Sequence, residues 1–135
     1  MKRIIYQREN GGISIVVPTG EIPLNDVIKK DLPPGVKYQI VDTADIPSDR
    51  YFRNAWDLDE TGRIVTNIDK AREIHKDRLR VQRKPLLEVL DVEYLQAMET
   101  KKDTAEIVAK KQRLRDITKE VDKRNTPEEI RSVVI

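Results

Sequence analysis

The chain has 135 residues, enough for one domain or for a small domain with a helical appendage. Charged residues make up 37%, with a net charge of only +2, and hydrophobic residues 38%. Either the core is thin, long solvated helices carry the charge, or part of the chain completes its core against another chain. Cysteine is absent, which excludes disulfides and thiolate chemistry. No apolar run approaches the roughly 20 residues of a membrane span or forms a signal peptide, so we expect a soluble protein made in a cytoplasm.

The first part of the chain contains short strand-like segments separated by turn residues. Residues 3–7 and 13–17 are rich in β-branched side chains and flank Asn10-Gly11-Gly12. Because asparagine and glycine tolerate positive φ, this pattern predicts a β-hairpin. Residues 23–31 predict a short helix, and the alternating residues 36–41 predict a third strand.

A second hairpin is predicted on either side of the polar segment 57–62. Residues 51–56 and 63–66 would form its strands, and alternation along a strand would place Phe52 and Trp56 on the same face. Trp56 belongs to the strongest aromatic cluster of the chain. We expect this cluster to form core, with an anchor for a partner protein as the alternative.

The turn of this hairpin, Asp57-x-Asp59-x-Thr61-Gly62-x-Ile64, matches the front of an EF-hand calcium loop. Oxygen ligands at alternate positions and a glycine for the sharp turn are what that geometry requires. However, the position of the bidentate glutamate is taken by Ile68, and a strand rather than a helix is predicted before the loop. We therefore interpret this segment as a polar turn and expect no calcium and no other cofactor.

Residues 67–100 contain no glycine and one proline, and they predict the long helix around which the rest of the chain is organised. Asn67 or Asp69 can cap its start. Acid–base pairs at i,i+3 support its first half: Asp69/Arg72, Glu73/Lys76 and Asp77/Arg80. An apolar stripe with a step of four follows in its second half, with two further apolar residues, Leu87 and Ala97, beside it: Leu86, Leu90, Tyr94 and Met98. Pro85 lies between the halves, and we expect a kink or a break there.

A third helix is predicted from a cap at Thr104 to about Lys123. Its apolar residues form a narrow seam that Lys110 interrupts: Ile107, Leu114, Ile117 and Val121. This helix and the second half of the long helix are expected to form an antiparallel hairpin. Thr126, Pro127 and a glutamate at the capping-box position then predict a short terminal helix from Pro127, followed by an apolar tail.

No set of residues suited to catalysis is apparent. His75 is the only histidine and has no nucleophilic partner, so we interpret it as a residue of the surface or of the flank of the helix. Basic side chains on one face of the long helix could bind phosphates: Arg72, Lys76, Arg80, and Arg83 or Lys84. Because acids are interleaved and aromatic residues are absent there, we favour a solvated, ion-paired face over a nucleic-acid site.

Three stretches resemble small proteins encoded among the tail genes of tailed bacteriophages. They are residues 51–56 (Tyr-Phe-Arg-Asn-Ala-Trp), residues 70–91 (Lys-Ala-x3-His-x2-Arg-x-Arg, then Leu-Leu-x2-Leu-Asp) and residues 111–118 (Lys-Gln-Arg-Leu-Arg-Asp-Ile-Thr). The last two are similar to the C-terminal region of phage tail or tail-fibre assembly chaperones. The chain departs from that pattern at its end, because members often finish with a tail that contains proline and tryptophan. This chain ends Arg-Ser-Val-Val-Ile.

The resemblance implies a non-enzymatic protein that covers apolar surface on a phage tail or tail-fibre subunit. It implies no catalytic residue, and it implies a location in the host cytoplasm during assembly or in the virion tail. A permanent structural tail protein is the alternative, a DNA-binding module that uses the basic helix face has less support, and an enzyme has least. A homo-oligomer is compatible with each reading.

Together the patterns predict an α+β protein. Residues 1–66 would form a small antiparallel sheet of two hairpins plus a strand, with one short helix. Residues 67–135 would form a helical region with a kinked helix, a helical hairpin and a short terminal helix. The residues predicted to contact a partner are apolar: Trp56, Leu86, Leu90, Tyr94, Leu114, Ile117, Val133 and Ile135.

Overall fold

A computed structural model describes all residues from Met1 to Ile135 and confirms the α+β class. The chain divides into two compact units, Met1–Asn67 and Ile68–Ile135. The first unit contains both sheets and one short helix, and the second is entirely helical. The division follows Asn67, one residue beyond the boundary expected from the sequence. No helix combines the length and the apolar composition needed to cross a membrane.

The first sheet consists of β1 (Lys2–Gln7), β2 (Ile13–Val16) and β3 (Tyr38–Asp42), with β1 in the middle and antiparallel to both neighbours. The predicted hairpin is confirmed, and Gly11 and Gly12 supply the positive φ of its turn, at 87° and 85°. The third strand begins later than predicted, because the Val36 N–H bonds back to the Pro33 carbonyl and closes a turn.

Both faces of this sheet are covered by apolar side chains. Ile4 packs with Val27 on one face, and Ile5 packs with Ile13 and Trp56 on the other. Adjacent strand residues point to opposite faces, so the pair Ile4-Ile5 contributes to both clusters. The first cluster is completed by the predicted short helix α1 (Leu24–Asp31), whose apolar face lies against it.

The second hairpin is formed by β4 (Trp56–Leu58) and β5 (Ile64–Thr66). The predicted strand over residues 51–56 is wrong: a 3-10 helix, Arg53–Ala55, precedes Trp56. Short-range hydrogen bonds explain the difference, because the Tyr51 N–H donates to the Asp49 carboxylate and the Ala55 N–H donates to the Phe52 carbonyl. These local contacts override the strand preference of the aromatic side chains.

The helical unit contains α2 (Ile68–Glu99), α3 (Ala105–Asp122) and α4 (Pro127–Arg131). The predicted hairpin of α2 and α3 is confirmed. α2 continues through Pro85, so the alternative of a break is wrong. Pro85 and Val81 are both exposed, and water can therefore bond the Val81 carbonyl that the proline leaves without an N–H partner.

The starts of α3 and α4 are capped by nearby side chains. For α3 the Asp103 carboxylate, rather than Thr104, accepts the Ala105 N–H at 3.0 Å. For α4 the predicted cap is confirmed, since Thr126 Oγ1 accepts the Glu129 N–H at 3.2 Å and Pro127 opens the helix. The Glu129 carboxylate in turn accepts a backbone N–H from the residue before the cap.

Candidate partner-binding groove

The contact of α2 with α3 follows a different spacing from the predicted stripe. The residues of α2 on this side are buried or half-buried and alternate in steps of four and three: Arg83, Leu87, Leu90, Tyr94 and Ala97. When two helices pack side by side, the contact residues of each recur every 3.5 positions on average. Residues at a constant step of four instead drift around the helix and leave the contact. Leu86 and Met98, the ends of the predicted stripe, are therefore exposed, at 44% and 55%.

The matching side of α3 contains a lysine. Lys111, not Lys110, occupies the seam, where its ammonium lies 2.6 Å from the Asp91 carboxylate and 5.1 Å from the centre of the Tyr94 ring. Ile117 and Val121 are buried further along the same side. Because Lys110 points away from the seam, it is exposed and forms only a 3.7 Å ion pair with Glu106.

An apolar groove of about 420 Å³ opens beside this seam within the helical unit. Its walls are aliphatic and come from α2, α3 and the C-terminal residue: Leu86, Val89, Leu90, Leu114, Ile117 and Ile135. Lys110 and Arg113 lie at its rim. The groove therefore combines an apolar floor with a positively charged edge, which suits an apolar segment flanked by acidic residues.

The C-terminal segment reaches the groove because α4 and His75 hold it. Ile130 on α4 is fully buried and Val133 nearly so. The prediction of a surface histidine is wrong, since His75 is only 4% exposed and its Nε2 lies 2.7 Å from the Val133 carbonyl oxygen. This hydrogen bond provides the buried imidazole with a partner and fixes the backbone two residues before Ile135.

The predicted ion pairs on the basic face are confirmed, but the face is only partly solvated. Arg72 donates to the Arg124 carbonyl at 3.1 and 2.8 Å, and Arg83 donates to the Arg115 carbonyl at 3.1 Å. Lys76 lies 2.5 Å from the Asp122 carboxylate, and this contact raises the pKa of the lysine. Three of the cations therefore fasten α3 or the residues that follow it to α2, whereas Arg80 pairs with acids of α2 alone.

Five of the eight predicted partner-contact residues line the groove: Leu86, Leu90, Leu114, Ile117 and Ile135. The other three lie elsewhere. Trp56 is 1% exposed in the core of the first unit, so its interpretation as core is confirmed and as an exposed anchor is wrong. Val133 is buried and Tyr94 lies beneath Lys111 in the seam. Sequence reasoning missed Val89, Lys110 and Arg113 as groove residues, although Val89 follows Leu86 at helical spacing and could have been included.

The EF-hand-like segment forms the turn between β4 and β5. One oxygen of Asp59 accepts the Thr61 N–H at 2.9 Å, the Thr61 hydroxyl at 2.6 Å and the Arg63 N–H at 2.9 Å. The Thr61 hydroxyl, followed by the Arg63 N–H, lowers the pKa of Asp59. Asp57 accepts from the side chains of Gln7 and Asn67. These carboxylates therefore hold the turn together. Nowhere in the chain do three or more histidine and acidic side chains form a cluster that could hold a metal ion.

Comparisons with protein-family models, with curated proteins and with solved structures found no match.

Proposed function

We propose that this chain is a non-enzymatic assembly protein of a tailed bacteriophage, which binds a tail or tail-fibre subunit through protein–protein contacts. The observation that carries the proposal is the open aliphatic groove beside the α2–α3 seam. An assembly chaperone or adaptor needs such a surface to cover apolar side chains of its client, and it needs no catalytic residues. The similarity of residues 70–91 and 111–118 to phage assembly chaperones supports the choice of client.

The groove favours an amphipathic segment of the client, with acidic residues beside its apolar ones. Each aliphatic side chain that becomes fully buried contributes about 1.5–3 kcal/mol, so two or three of them supply most of a useful affinity. Acidic residues of the segment would meet Lys110 and Arg113 at the rim. Charges at a rim act mainly on the association rate and on its salt dependence.

Co-expression with the tail or tail-fibre subunit encoded by the gene next to that of this chain tests the proposal. We expect the two proteins to elute together from a sizing column, and Leu86→Glu to abolish this because it places a charge in the groove wall. Val108→Glu is a matched control, since Val108 on α3 is 46% exposed, against 44% for Leu86, and lies outside the groove. Unchanged circular dichroism would show that both variants fold. Separate elution of the wild-type chain from the adjacent subunits would contradict the proposal.

A permanent tail component would use the same groove, and its band would remain in purified virus particles, whereas a chaperone would leave.

The DNA-binding alternative has less support. Arg72, Lys76 and Arg83 are engaged with α3 or with the residues that follow it, which leaves few cations on that face for phosphates. Tight, salt-sensitive filter binding of DNA would favour that alternative.

A further inference from the structure

The first sheet has an open edge at β3, because β3 pairs with β1 on one side and with no strand on the other. The Thr43 N–H donates to the Met1 carbonyl at 2.9 Å, so the odd-numbered residues of this segment direct their backbone groups toward β1. The even-numbered residues direct theirs outward. The outward N–H of Asp42 donates to a carboxylate of the same chain, but Tyr38 and Ile40 each present an N–H and a C=O that bond to no group of the chain. No proline or lysine lies within β3 to protect this edge.

The face of this edge that carries α1 offers apolar contacts. Tyr38 and Ile40 share that face with Ile4, which is opposite Ile40 on β1, but they are 40% and 43% exposed whereas Ile4 is fully buried. A hollow of about 380 Å³ lies beside Tyr38, lined mainly by apolar residues of α1 and of the turn that follows it: Ile28, Leu32, Pro33 and Val36. No residue of β1 lines this hollow, so it lies on the outward side of Tyr38. A side chain opposite Tyr38, on a strand added to β3, would therefore enter it.

The other face of the edge is acidic next to Gln39. The side chain of Gln39 lies against the turn between β4 and β5, since a Cβ added to Gly62 would be 2.8 Å from Gln39 Cδ. That turn carries two exposed carboxylates, Asp59 and Glu60, and one exposed cation, Arg63. A strand added to β3 would place the side chain opposite Gln39 beside this turn, so a basic residue is favoured at that position.

We propose that this edge binds an extended segment of another protein, which adds to the sheet as a strand antiparallel to β3. The spacing of the open groups dictates this form, because Tyr38 and Ile40 are two residues apart and an extended backbone presents its donors and acceptors at that interval. The two residues opposite them would exchange four hydrogen bonds with β3. The faces select apolar side chains at these two positions and a basic side chain between them. A second copy of β3 does not meet this requirement, because it carries the uncharged Gln39 between Tyr38 and Ile40 and would bring two acidic turns together.

Titration of the isotope-labelled full chain with the capped peptide Thr-Val-Arg-Val-Thr, followed by nuclear magnetic resonance, tests the proposal. We expect the amide signals of Tyr38 and Ile40 to shift and their hydrogen exchange to slow, with a dissociation constant of about 1 mM because only two residue pairs form. The N–H groups of Gln39 and Val41 already face β1, so their exchange should hardly change. Methylating both valine nitrogens removes the donors that face β3 and should abolish binding. Methylating the arginine nitrogen, which faces away, should retain most of it. Equal binding of the two methylated peptides, or no binding of the unmethylated peptide at several times that concentration, would overturn the proposal.

Two protein variants locate the binding edge. Ile40→Lys puts a charge opposite a valine of the peptide and should weaken binding about fivefold. Val17→Lys is the matched control and should leave binding unchanged, because Val17 is 57% exposed and follows β2 at the other edge of the same sheet. Equal effects of the two substitutions would contradict binding at β3. Self-association of the free chain, with the same amide signals shifted, would show that a second copy covers the edge and would refute the choice of partner. Neither β3 nor the hollow belongs to the groove, so these outcomes are independent of whether the groove binds a tail subunit.

Discussion

Replacing Ile130 by alanine should destabilise the helical unit by about 3 kcal/mol. Ile130 has no exposed surface and belongs to the short helix that holds the C-terminal segment. The substitution removes three carbon atoms, worth about 0.8 kcal/mol each in transfer free energy, or about 2.4 kcal/mol in sum. The cavity that remains adds to this, and buried isoleucine-to-alanine changes cost about 2–5 kcal/mol in all.

Urea unfolding followed by far-ultraviolet circular dichroism measures this change. Val134→Ala is the control, because Val134 is 66% exposed and its truncation should change the free energy of unfolding by less than about 0.5 kcal/mol. Ile130→Ala should shift the midpoint without altering the slope with denaturant. If the two variants were equally stable, the terminal helix would not be packed as described, and Ile135 could not form a wall of the groove.

Two further predictions concern the same unit. Thr126→Ala removes the acceptor that caps α4 and should lower the free energy of unfolding by about 1 kcal/mol in the same urea assay. Thr126→Ser keeps a hydroxyl acceptor and should retain most of the stability. An equal loss in both variants would exclude the cap. The Asp122 carboxylate raises the folded-state pKa of Lys76 above the ordinary 10.5, so this pair stabilises fully below that pH and its contribution is lost as the pH rises through the folded pKa. Asp122→Asn should therefore make the unfolding midpoint fall less steeply above pH 10.5, and an unchanged alkaline profile would contradict the pairing.

Elements fixed by local chemistry could be predicted from the sequence. The first hairpin requires positive φ at Gly11 and Gly12, and the start of α4 requires the Thr126 cap, so both were recognisable from a few neighbouring residues. Residues 51–56 show the limit of this approach. Their aromatic side chains favour a strand, but hydrogen bonds from nearby turn residues produce a 3-10 helix instead.

The candidate site was predictable only in part, because its register depends on which helices pack together. The sequence shows that α2 is apolar near Leu86 and Leu90. It does not show which apolar residues face α3, because a step of four and an alternation of three and four fit the sequence almost equally well. Only the contact with α3 selects between them. His75 was misjudged for the same reason: its charged sequence neighbours indicate a surface, whereas the C-terminal segment that covers it is distant in sequence.

The side chains of α2 do not divide cleanly into an apolar packed side and a polar exposed side. Arg83 lies at the packed seam and Lys111 faces it from α3, while Val92 and Leu95 are exposed on the opposite side. Polar replacements at exposed helix positions usually change stability by no more than about 0.5 kcal/mol, so the stability of the isolated chain gives no reason to retain valine and leucine there. Under the proposed function, burial against a client would give such a reason for the aliphatic side chains of the groove, in a chain with only 38% hydrophobic residues.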